Sequence, residues 1–104
     1  MNILLVCAAG MSTSLLVSSM RKFADPDTKI NAVAYSELED AITDYDVVLV
    51  GPQLRYKLNE IKKIAVNYNK PVDIIDPIAY GRIDGKKVLE SAKSLYIKNN
   101  NGGN

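Results

Sequence analysis

The sequence predicts an α/β fold: a four-stranded parallel sheet in the order 2-1-3-4, with helices on both faces. Three observations carry that prediction. Two continuous apolar runs, Ile3-Leu4-Leu5-Val6 and Val47-Val48-Leu49-Val50, have the form of parallel strands buried on both faces. Strand-like and helix-like segments alternate along the chain, as right-handed parallel crossovers require. A chain of 104 residues can bury one core but not two, so residues 1–98 are assigned to one domain.

Taken in order, residues 2–6 form the first strand, placed at the centre because it is among the most apolar. After a loop of small and hydroxyl residues, Leu15, Leu16, Met20 and Phe23 recur at helical spacing. Arg21 and Lys22 fall in the last turns, where cations suit the helix dipole, and Asp25-Pro26-Asp27 ends the helix. Residues 29–35 read as a less apolar edge strand. Ser36-Glu37-Leu38-Glu39 has capping-box spacing and starts a short helix reaching about Thr43. Residues 46–50 form the third strand, stopped by Gly51-Pro52, and Leu54, Leu58, Ile61, Ala65 and Tyr68 then mark one helix face. Asn69-Lys70-Pro71 turns the chain into a fourth strand over residues 72–75, followed by a loop over residues 76–82. Asp84 is placed to cap the last helix, with Ile83 and Val88 as a hydrophobic staple and Val88, Leu89, Ala92, Leu95 and Tyr96 facing the core. Residues 99–104, all Asn and Gly, are expected to be a disordered polar tail.

Composition narrows the function. A 47% hydrophobic and 24% charged content is that of an ordinary globular domain, and a net charge of +1 offers no polyanion-binding stripe, so nucleic acid is not an expected partner. One cysteine excludes an internal disulfide, a Cys-x-x-Cys redox pair and a thiolate metal site. The absence of histidine removes Cys-His and Ser-His dyads and imidazole metal ligands; neither metal nor cofactor is expected. The apolar run at residues 2–9 is short and lacks a basic leader, and no run reaches membrane-spanning length, so a cytoplasmic location with a reduced thiol is expected. The expected state is a monomer.

The chemistry concentrates in Cys7-Ala8-Ala9-Gly10-Met11-Ser12-Thr13-Ser14. In a flavodoxin-like sheet of order 2-1-3-4, ligands sit beyond the carboxyl ends of the strands at the switch point between strands one and three. Cys7 lies at that end, as do Gly51-Pro52-Gln53 and residues 76–81, so three loops should meet around one thiol. Backbone N–H groups at a helix start bind anions, and the same environment lowers a thiol pKa. A loop that favours both thiolate and phosphate suits a phosphocysteine carrier. A lone cysteine is usually a small buried hydrophobe, but its place at a strand end before Gly10 and three hydroxyls favours the nucleophile. Ser12, Thr13 and Ser14 can donate to phosphate, cap the helix, or do both.

Three stretches resemble the lactose/cellobiose (chitobiose) class of IIB proteins of the bacterial sugar phosphotransferase system. They are Ile3 through Ser14, Leu49-Val50-Gly51-Pro52-Gln53-Leu54-Arg55-Tyr56, and Asp76 through Gly85, and together they span nearly the whole chain. The resemblance implies that Cys7 accepts phosphate from a histidine of a IIA protein and passes it to a β-glucoside-type disaccharide in the membrane-embedded IIC transporter. It implies further that Ala8, Ala9, Gly10, Met11, Ser12, Thr13 and Ser14 wrap the phosphate. Gln53, Asp76 and Tyr80 fall in the neighbouring loops as candidate rim residues, the alternatives being a helix-entry turn for Gln53 and a packing aromatic for Tyr80. Met11 and Leu54 are the apolar side chains expected to contact IIA.

Two other readings compete. Low-molecular-weight tyrosine phosphatases share this fold and an amino-terminal cysteine loop, but use Cys-x5-Arg and a later Asp-Pro acid. Here position 13 is Thr13, although Asp76-Pro77 matches the acid motif. Without the arginine fork, hydrolysis should be poor. A flavodoxin-like binding or receiver module would need flanking aromatics or an acidic cluster after the first strand, and neither is present.

Overall fold

The computed structural model describes residues 1–8 and 13–102. Four parallel strands, β1 (Ile3–Cys7), β2 (Ile30–Ala34), β3 (Val47–Val50) and β4 (Val72–Ile74), lie in the order β2-β1-β3-β4, as the sequence predicts. The helices are α1 (Ser14–Phe23), α2 (Leu38–Ala41), α3 (Leu58–Val66), α4 (Pro77–Gly81) and α5 (Gly85–Gly102). Shorter 3-10 turns occupy Tyr35–Glu37, Ile42–Asp44 and Pro52–Lys57.

Strand periodicity sorts the core into two layers. Side chains alternate between sheet faces, so Ile3, Leu5 and Cys7 join Val47 and Leu49 in one cluster, completed by Leu16, Val17 and Met20 of α1 and Val88, Leu89 and Ala92 of α5. Leu4 and Val6 join Val48 and Val50 on the other face, under Leu38 of α2 and Ile61 and Ala65 of α3. Every residue of β1 and β3 is buried, so the unbroken apolar runs follow from having helices on both sides. Cys7 falls on the α1/α5 side by parity alone.

Polar ties gather at the amino edge of the sheet. The Asn2 backbone N–H donates to Asp46 Oδ2 at 2.6 Å, the Asn2 side chain donates to the Asp44 carbonyl at 3.0 Å, and its Oδ1 accepts the Lys29 N–H at 3.2 Å. Asp46 therefore stands at the opposite end of the sheet from Cys7. The carboxyl edge is left free for loops.

Several local expectations change. Leu15 and Phe23 are exposed, because the buried face of α1 runs through Leu16, Val17 and Met20. The cap ahead of α2 is made two residues earlier than expected: the Glu37 carboxylate accepts the Ala34 N–H at 3.2 Å. Residues 76–82 are not a plain loop, since Asp76 accepts the Ala79 N–H at 3.1 Å and Pro77 opens α4; an Asp N-cap followed by Pro at the first helical position is a helix start. Asp84 does cap α5, accepting the Lys87 N–H at 3.1 Å. Ile83, at φ 55, stays exposed while Val88 is buried, so the staple is not formed. Residues 99–102, read as tail, continue α5; extending an existing helix adds a hydrogen bond per residue fixed, which outweighs the weak propensity of Asn. Positions 103 and 104 lie outside the described residues.

Candidate active site

Cys7 ends β1 at the carboxyl edge and is 4% exposed. Pairing of β1 with β2 continues through Cys7 and Ala34, whereas pairing with β3 stops at Val6 and Val50. From there Gly51 turns away, its N–H donating to the Val6 carbonyl at 2.9 Å. A Cβ at Gly51 would stand 3.4 Å from that carbonyl, 3.3 Å from Gln53 Oε1 and 3.9 Å from the Cys7 Cα. The small residue at Gly51 thus lets the β3 turn, with Gln53, lie against the cysteine backbone.

Thr13 is buried beside the thiol, and its side chain hydrogen-bonds to it instead of capping α1. Burial pushes the Cys7 thiol above its ordinary value of 9.0, and the Thr13 hydrogen bond pulls in the other direction without prevailing. This reverses the expected depression. Thr13 brings the start of α1 to the sulfur, but burial is the larger influence. The resting group is a neutral thiol.

That state has a measurable consequence. Near neutral pH, iodoacetamide should alkylate Cys7 at least about tenfold more slowly than a small free thiol, with the rate climbing only as the pH passes 9.0. Labelling as fast as a free thiol at neutral pH would contradict it. Because the folded pKa lies above the unfolded one, the thiol's contribution to stability is fully present below 9.0 and is lost as the pH rises through the folded value.

Tyr80, carried by α4, packs against the cluster that contains Cys7. Burial raises the pKa of its hydroxyl, and negative charge on Cys7 raises it further, while the Gln53 side chain draws it back. Gln53 nevertheless does not close to hydrogen-bond geometry, and the buried hydroxyl has no hydrogen-bond partner. Asp76 is exposed at the start of α4, where it caps the Ala79 N–H and lies 3.9 Å from Lys87 Nζ.

The structure therefore brings Cys7, Thr13, Gln53 and Tyr80 together, and leaves Asp76 as a helix cap. Ala8 is half-buried against the opposite cluster and Ser14 is the first residue of α1. Ala9, Gly10, Met11 and Ser12 lie outside the described residues. Leu54 is buried and cannot serve as a contact residue. Among the described residues, the exposed large apolar side chains at this edge are Leu15, Tyr56 and Ile78, at 63%, 77% and 64%. Sequence reasoning missed them because helical spacing alone does not say which apolar residue falls off the buried face.

Arg21 does not approach the thiol, since its guanidinium donates to the Ile30 carbonyl at 2.6 Å and to Asn31 Oδ1 at 3.0 Å. An open cleft of about 410 Å³ lined by Thr13, Ser18, Arg21 and Asn31 runs between α1 and β2, and Cys7 does not line it. Among the described residues no group of His, Cys, Asp and Glu side chains could hold a metal ion, and no helix is long and apolar enough to cross a membrane.

Residues 2–91 match the family model of the phosphotransferase-system lactose/cellobiose-specific IIB subunit. The oligo-beta-mannoside-specific EIIB component of Bacillus subtilis is 43% identical over 92% of this chain and 96% of its own. The cellobiose-specific EIIB component of Lactococcus lactis is 40% identical over 89% and 94%. The solution structure of a cellobiose-specific IIB component from Borrelia burgdorferi superposes with a TM-score of 0.79 at 39% identity, covering 95% of this chain and 94% of that one. The chain belongs to the lactose/cellobiose-specific IIB subunits of the sugar phosphotransferase system.

Proposed function

We propose that Cys7 is the phosphoryl carrier of this IIB subunit, charged by a phosphohistidine of a IIA protein and discharged onto a β-glucoside-type disaccharide held in a membrane IIC transporter. The chain then acts in the cytoplasm as a protein-phosphocysteine–sugar phosphotransferase. One observation supports this most: the single cysteine sits at the carboxyl end of the central strand, with Thr13 on its sulfur, in a chain without histidine. Sugar choice falls to IIC, in keeping with relatives of similar identity that are named for oligo-β-mannoside and for cellobiose.

The neutral thiol fits both steps. In charging, the N–P bond of phosphohistidine breaks as the S–P bond forms, and the thiol proton ends on the departing imidazole nitrogen. In discharge, the S–P bond breaks as a sugar O–P bond forms, and the sugar hydroxyl proton returns to sulfur. No general base of this chain's own is needed, because each leaving group takes up the proton that its attacker releases. Backbone N–H groups of positions 8–14 are assigned to the phosphoryl oxygens.

Hydrolysis lacks its parts. Thr13 stands where the phosphatase arginine would be, Arg21 is engaged with β2 away from the thiol, and Asp76 is committed to the α4 cap. With phosphorylated IIA the protein should take up one phosphoryl group and stop. With p-nitrophenyl phosphate it should show no sustained turnover, and robust turnover would favour the phosphatase reading instead.

Leu15, Tyr56 and Ile78 come from three elements that follow β1, β3 and β4, and so ring the carboxyl edge. They are assigned to IIA docking, a short-lived contact suited to apolar side chains around a reacting centre. Ile78→Asp should lower the second-order charging rate about tenfold, with stability changed by no more than about 0.5 kcal/mol. Stopped-flow charging at several IIA concentrations checks this; an unchanged rate would remove Ile78 from the interface.

A further inference from the structure

We propose that Tyr80 is a phosphoryl-binding residue whose hydroxyl is unpaired while Cys7 is a free thiol and donates to a phosphoryl oxygen once Cys7 is phosphorylated. The proposal rests on Cys7 being the acceptor. Among the described residues, the Tyr80 hydroxyl is the only buried side-chain oxygen or nitrogen without a hydrogen-bond partner. Such groups are rare because burying a donor unpaired is costly; a phenylalanine would fill the same space without that cost. The vacancy is also in the right place: Cys7, Ala79 and the Tyr80 ring belong to one cluster on the α1/α5 face of the sheet, and Gln53 flanks the hydroxyl.

The local frame holds the ring there. Asp76 caps α4 through the Ala79 N–H at 3.1 Å, its carbonyl accepts the Tyr80 N–H at 2.9 Å, and Ala79 is buried. Asp76 is thus a positioning residue, fixing the turn that carries Tyr80. A dianionic thiophosphate ester needs donors in a site from which water is largely excluded, and a charge-assisted O–H···O bond is among the stronger ones available.

The test is Tyr80→Phe, read in two ways. Equilibrated with the phosphorylated IIA partner, the variant should hold about tenfold less phosphate relative to IIA than wild type, as expected for losing one hydrogen bond to a charged group. Its unphosphorylated form should have a urea midpoint equal to or above that of wild type, because it no longer buries an unpaired hydroxyl. An equilibrium identical to wild type would overturn the proposal alone, leaving Cys7 as acceptor. A lowered urea midpoint would mean that the hydroxyl is already paired in the thiol form, and would also overturn it. If wild type itself takes up no phosphate on Cys7, the proposal falls together with the reading beneath it.

Discussion

Cys7→Ser is expected to abolish sugar phosphorylation by a reconstituted IIA–IIB–IIC system, by a factor of about a thousand or more, while the protein stays folded. The side chain is buried at the end of β1 with Thr13 as a hydrogen-bond neighbour, so the serine hydroxyl enters a site that already holds a partner. The stability change should be no more than about 1 kcal/mol. The loss comes from the nucleophile: an alcohol is a far weaker acceptor than sulfur, and no histidine is present in the chain to activate it. Thermal melts and sugar phosphorylation measured on the same preparation separate the two effects. A folded serine variant with substantial activity would remove Cys7 from the mechanism.

The largest effect on stability is expected at Gly85. This residue opens α5 where it crosses α1, and its N–H donates to Ser19 Oγ at 3.1 Å. A Cβ there would overlap the Ser19 carbonyl carbon, Ser19 Oγ and the Met20 nitrogen. Two of these are backbone atoms, so relief requires α1 and α5 to separate, and Met20, Val88 and Leu89 lie in the packed layer between them and the sheet. Gly85→Ala should cost about 3 kcal/mol, at the upper end of overpacking effects. Gly81→Ala is the matched control, because nothing lies within 4 Å of a Cβ at that helical position; it should be neutral or stabilising by up to about 1 kcal/mol. Urea denaturation of the two variants checks the contrast, and equal midpoints would contradict it.

The sheet was legible because β1 and β3 are buried on both faces, a demand that only unbroken apolar runs such as Ile3 to Val6 can meet. Their ends then located Cys7, and alternation along β1 put it under α1 and α5. Gln53 and Tyr80 were placed near the thiol by loop order, and the structure brings both there. Other features depend on distances that no local pattern encodes. The approach of α5 to α1 at Gly85 joins positions 66 residues apart, and the exposed sides of Leu15 and Phe23 depend on how α1 is rotated against the sheet. The thiol pKa was misjudged because burial at a strand end opposes the pull of a helix start, and the sequence shows only the second. Asp76-Pro77 carried a legible signal, an N-cap followed by proline, that resemblance to a phosphatase acid obscured.

The most direct measurement is to locate the phosphate. After reaction with phosphorylated IIA under alkaline quench, peptide mass mapping and phosphorus NMR should find one phosphoryl group, bonded to sulfur, on the peptide that contains Cys7. Phosphate on a loop hydroxyl such as Thr13 or Ser14, on Asp76, or on no residue of this chain would contradict the phosphocysteine carrier.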